Sequence, residues 1–106
     1  MIIRSALLLG QVAADRQEDF DRHMREVVVA KIRQYPRIRD VTLRKTLASD
    51  DGAPEIYMQF DLMFDSLADM DAALASPVRD AVRAEIIAGM GDFQGRTVHV
   101  VSQALG

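Results

Sequence analysis

Five side chains in this 106-residue sequence could together make a site, three of them, His99, Asp61 and Tyr57, of types suited to acid–base chemistry. Tyr57, Gln59 and Asp61 alternate along the strand-like segment "EIYMQFDLMF", Glu55 to Phe64, and so are expected on one face of it. His99 stands in a second such segment and Arg44 in a third. With all five facing one space, the imidazole near a carboxylate is a general base at neutral pH. Asp61 orients it, Tyr57 donates to a developing oxyanion, and Gln59 and Arg44 contact the substrate. A second reading stays open: Asp61 pairs with His99 or with Arg44 only because buried polar groups must be paired. His23, one turn before Val27 on a helical segment, is either a further pocket imidazole or a partly exposed histidine beside Asp19, Arg22 and Glu26. Arg4 is open between an interface ion pair and an anion anchor.

Other chemistries find no residues. Two histidines without cysteine give no metal-ligand spacing, so no metal is expected. The absence of cysteine also removes disulfides and thiolate nucleophiles. Gly89, Gly91 and Gly95 precede no helix start and form no phosphate-cradling loop. No cofactor is expected. A net charge of −3, with basic residues in both halves and no Lys/Arg block, argues against nucleic acid. The apolar run Ala6 to Leu9 is too short for a signal peptide, and no stretch approaches the roughly 20 apolar residues of a membrane span. The expectation is one soluble, cytoplasmic domain over residues 1–106.

The elements that would position these residues can be read in order. Ile2 to Val12 is an apolar strand closed by a polar turn. A helix is expected from about Asp15, with Asp15 and Glu18 at capping-box spacing, and Phe20, Met24, Val27, Val28, Lys31 and Tyr35 along one side. Pro36 closes it. "DVTLRKTL", Asp40 to Leu47, is a second strand, "ASDDGAP" a turn, and Glu55 to Phe64 the third strand. Ser66 with Asp69 starts another helix, Ser76 and Pro77 restart it to about Ala88, "GMGDFQG" is a loop, and "RTVHVVSQ" the last strand. The order β-α-β-β-α-β is the α+β, ferredoxin-like pattern: a four-stranded antiparallel sheet with two helices on one face.

That pattern leaves the second face of the sheet to be explained. The expected outer residues are Thr42, Arg44 and Thr46, then Tyr57, Gln59, Asp61 and Met63, then Thr97, His99, Val101 and Gln103. Strand one contributes either Ile3, Ser5, Leu7 and Leu9 or Arg4, Ala6 and Leu8. Apolar residues interleaved with single polar groups suit a covered face, and the simplest cover is a second copy of the sheet packed by two-fold symmetry. A solvated face is the alternative.

Two longer stretches carry a resemblance. "FDRHMREVVVAKIRQYPRIRDV", Phe20 to Val41, resembles the first-helix signature of EthD-like proteins, an aromatic, then Arg-Glu, a His-Pro-Leu-type segment and Pro-Gly-Leu-Arg. "FDSLADMDAALASP", Phe64 to Pro77, is similar to the family's strand-to-helix signature, and Phe93 falls where a Phe often precedes its last strand. The resemblance implies a homodimer through the sheet faces, a dimeric α+β barrel, with a pocket for a small hydrophobic or aromatic molecule between sheet and helices. Relatives are linked to ether degradation, polyketide and aromatic metabolism, and cofactor-free oxidation. The family's helix-one histidine falls at Val28, which would then line the substrate pocket without a proton to give. Two readings follow: an enzyme or accessory protein doing acid–base or cofactor-independent oxidative chemistry on aromatic, lactone or polyketide-like compounds, or a non-catalytic ligand-binding or structural dimer.

Overall fold

The computed structural model describes residues 1–106. The elements follow as β1 (Ile2–Val12), α1 (Gln17–His23), α2 (Val29–Ile32), β2 (Asp40–Lys45), β3 (Ile56–Phe64), α3 (Leu67–Leu74), α4 (Val78–Gly89) and β4 (Phe93–Gln103). A π-helical turn, Met24–Val28, joins α1 to α2 as one helix. All neighbouring strands are antiparallel, in the order β2-β3-β1-β4, so β2 and β4 are the edges. This is the expected β-α-β-β-α-β arrangement.

The π turn has a cause in the sequence. Phe20, Met24, Val28 and Ile32 recur every four residues and are all buried. On a regular α-helix three such steps carry the stripe about 120° around the axis. A π turn takes up one extra residue, about 100°, and returns the stripe to the sheet. There it meets Met58, Phe60, Leu62 and Phe64, the buried side of β3.

The helix starts differ in part from expectation. Ser66 caps α3, its side chain accepting from the Asp69 backbone N–H at 3.1 Å. Asp15 makes no cap hydrogen bond; the chain enters α1 through a 3-10 turn, Ala14–Arg16. Ser76 does not cap α4 either, because its hydroxyl donates back to the Ala73 carbonyl at 2.6 Å. Part of the expected glycine loop is strand: Gly95 pairs with Gly10 inside β4. Both have positive φ, 154° and 151°, and a Cβ on either would lie within 2.1 Å of the facing backbone. Only glycine fits that close approach.

Two register facts decide which way the side chains look. Strict alternation placed Tyr57 outward and Ile56 inward, but β3 bulges opposite Leu8 and Leu9, which pair with Met58 and Ile56 and leave Tyr57 as the extra residue. Tyr57 therefore turns to the helix side, where its ring meets Phe20 edge-on at 5.6 Å, and Ile56 goes out beside Leu9. On β4, His99 pairs with Ala6 and Thr97 with Leu8, so Thr97, His99, Val101 and Gln103 face the helices. The expected parity of β4 is thus inverted, and Val98 and Val100 take the outer side. The parity of β1, open in the sequence, resolves with Arg4, Ala6 and Leu8 inward and Ile3, Ser5, Leu7 and Leu9 outward.

Candidate functional site

Between the sheet and α4 lies a pocket of about 310 Å³. Its floor comes from the inward residues of β1 and β3, Ala6, Leu8, Phe60 and Leu62, and its far wall from Val82 and Ile86 of α4. On that floor the small Ala6 stands between Phe60 and His99, its partners on the two neighbouring strands. Polar groups gather at one end: Arg4 of β1, Arg79 and Arg83 one turn apart on α4, and Tyr35 just beyond α2. Thr97 and His99 supply the rim from the edge strand β4.

The electrostatics follow from this crowding. Burial, then Arg79 and Arg83, hold the Arg4 guanidinium below its usual range. Burial pushes the Tyr35 phenol up, against the pull of the same three arginines. His99 is exposed at the rim, yet partial desolvation, followed by repulsion from Arg4, Arg79 and Arg83, holds its pKa below the usual 6.5. The shift favours the neutral imidazole, the form able to accept a proton.

The five residues expected to converge do not. Asp61 stays on the outer face, buried, and accepts from the Ser5 hydroxyl at 2.6 Å, from Arg44 at 2.5 Å and from Gln59 at 3.4 Å. The pairing with Arg44 was one of the open readings. Gln59 and Arg44 thus serve Asp61 on the side of the sheet away from the pocket. Tyr57 donates to Asp21 of α1 at 2.5 Å, with Lys45 on the same carboxylate at 2.7 Å. Burial and that hydrogen bond push its phenol up to about 12. His99 reaches neither of them, because a one-residue change of parity on β4 and the bulge in β3 send the three to different places.

The two helix positions are also outside the pocket lining. Val28 is fully buried in the core behind it. His23 donates from Nε2 to the Glu85 carbonyl at 2.7 Å and ties the first helix to α4. A Cβ on Gly89 would sit 2.5 Å from the His23 ring, so the two helices touch there with no room to spare. Gly89→Ala is expected to cost about 1–3 kcal/mol in urea unfolding. The cost should largely vanish in a His23→Ala background, and an undiminished cost there would refute the contact.

Arg79 and Arg83 were not singled out from the sequence, which placed Tyr35 only on a helix stripe and Thr97 only on the outer sheet face. The usable signal was the pair Arg79 and Arg83 at i, i+4 on the stripe that also carries Val82 and Ile86, where a solvated face would not put apolar neighbours. No three His, Asp or Glu side chains converge as metal ligands, and no helix is long and apolar enough to cross a membrane.

Comparison with solved structures places this arrangement. An ethyl tert-butyl ether (EthD) family protein from Bacillus halodurans C-125 superposes with a TM-score of 0.77 at 16% identity, covering 99% of this chain and 100% of that one. The fold is ferredoxin-like. A dimeric protein of ferredoxin-like fold from Bacteroides fragilis NCTC 9343 gives a TM-score of 0.68 at 13% identity over 97% of this chain and 95% of that one. An antibiotic biosynthesis monooxygenase gives 0.63 at 17% identity over the full length of both. No family model matches the chain, and no curated protein does. At these identities the likeness is one of ferredoxin-like fold, over the whole chain and in agreement with the EthD-like resemblance of the sequence.

Proposed function

We propose that this chain is an EthD-like small-molecule enzyme that takes an aromatic, lactone or polyketide-like compound into the sheet–helix pocket and moves a proton on it with His99. The observation that carries this reading is the His99 imidazole at the rim of an apolar pocket of about 310 Å³, a size suited to a compound of two fused rings, with burial and three arginines favouring its neutral form. In the step proposed, an acidic C–H of the bound compound gives its proton to a ring nitrogen of His99. The electron pair moves onto the neighbouring carbonyl oxygen, and the proton returns at another carbon. Of the three residues expected to act together, only His99 keeps a catalytic part; Tyr57 and Asp61 are engaged elsewhere.

The test is deuterium exchange into such compounds in D2O, followed by proton NMR. His99→Gln should slow exchange roughly 100-fold, the usual worth of a positioned base, with an unchanged Tm. Exchange at the wild-type rate in that variant would sink the assignment. Binding without chemistry is the second reading. It is favoured by the His99 ring having no hydrogen-bond partner to fix its tautomer, since its Nδ1 and Nε2 take part in none of the side-chain hydrogen bonds of the fold.

We also propose that two copies pair through the outer sheet face and form the barrel. Its support is the apolar set Ile3, Leu7, Leu9, Met63, Val98 and Val100 on that side. The fold neighbour from Bacteroides fragilis is described as dimeric.

A further inference from the structure

The arginines of this chain are divided in a telling way. Seven of the eleven make ion pairs with carboxylates; Arg4, Arg79, Arg83 and Arg96 make none. Three of those four line the same pocket, and no Asp or Glu lines it with them. In a chain of net charge −3 with 16 acidic residues, partners were not scarce. Three guanidiniums that repel one another beside an apolar floor are an arrangement that an anion would relieve.

Resting on the pocket reading above, we infer that the ligand is an organic carboxylate whose charged end is held by Arg4, Arg79 and Arg83 and whose aromatic or aliphatic body lies against Leu8, Phe60 and Ile86. The pocket is graded in that sense along both walls. Arg4 and Leu8 follow one another on β1, and Arg79 and Ile86 on α4, the latter pair roughly 10 Å apart at 1.5 Å per residue. A guanidinium fork matches a planar carboxylate with two parallel hydrogen bonds. Inorganic phosphate would satisfy the arginines but leave the apolar end, most of the lining, without contact.

The test uses 1-naphthoate, its neutral analogue 1-naphthylmethanol, and inorganic phosphate. The chain has no tryptophan, so naphthyl fluorescence excited to the red of the tyrosine absorption band is read without protein interference. Naphthoate should bind at least tenfold more tightly than the alcohol, with the gap narrowing at high salt. The double variant Arg79→Gln, Arg83→Gln should close the gap without unfolding, because neither side chain has an ion-pair partner to orphan. Equal binding of acid and alcohol would overturn the carboxylate inference and leave the small-molecule pocket standing. Phosphate binding more tightly than naphthoate would also overturn it. Binding of neither naphthyl compound would overturn both.

Discussion

Val28→His is expected to lose roughly 2–6 kcal/mol of stability, a large part of the roughly 5–15 kcal/mol that a domain possesses. The resemblance to EthD-like proteins makes this substitution attractive, since it places a histidine where the resemblance puts that family's own. The environment says otherwise. Val28 has no exposed surface, lies in the π turn between α1 and α2, and is absent from the pocket lining. An imidazole there overpacks a closed core, at about 1–3 kcal/mol, and brings polar nitrogens with no partner, at about 1–3 kcal/mol more. Urea denaturation of the variant checks this. A variant as stable as the parent, with a new imidazole titrating in contact with solvent, would mean that the π turn can rearrange and open the position to the pocket.

Under the proposed pairing of outer sheet faces, Leu7→Glu is expected to convert the dimer into a folded monomer. Leu7 lies at the middle of the outer sheet face, paired with Gln59 on one side and Val98 on the other. The acidic group already there, Asp61, is fully engaged within its own chain by Ser5, Arg44 and Gln59. A second copy would therefore meet mainly Ile3, Leu7, Leu9, Met63 and Val100, with the buried carboxylate of Asp61 already paired to Arg44. Two-fold symmetry doubles the new charge, and burying two unpaired carboxylates costs several kcal/mol, at least a 100-fold weaker dimer. Light scattering across a wide concentration range reads the mass, and circular dichroism checks that the monomer stays folded. A wild-type chain that is monomeric throughout, or a Leu7→Glu chain that remains dimeric, would end the proposal that this face pairs.

The alternation in "EIYMQFDLMF" identified β3 and most of its buried side, since Met58, Phe60, Leu62 and Phe64 all lie in the core. It failed at Tyr57, where a bulge adds one residue and shifts the period of two that the reading depended on. No residue type marks that bulge in the sequence. The same limit applies to β4, whose start lies three residues earlier than the composition indicates because Phe93, Gln94 and Gly95 belong to the strand. Exposed on most positions, β4 has no apolar period of its own, so its facing is inherited from pairing with β1.

Sequence alone determined the element order, and with it the fold, because turn chemistry and apolar periodicity are local properties carried by neighbouring residues. It also showed that His99, Asp61 and Tyr57 were the groups with acid–base capacity. Only the tertiary structure decided that the three part company, with His99 at the pocket, Asp61 tied to Arg44 behind the sheet, and Tyr57 held by Asp21. It alone gathered Arg4, Arg79 and Arg83, which are separated by up to 79 positions in the chain, at one end of an apolar pocket. Register and facing are set by pairing between distant strands, and a slip of one residue there reverses every side chain beyond it.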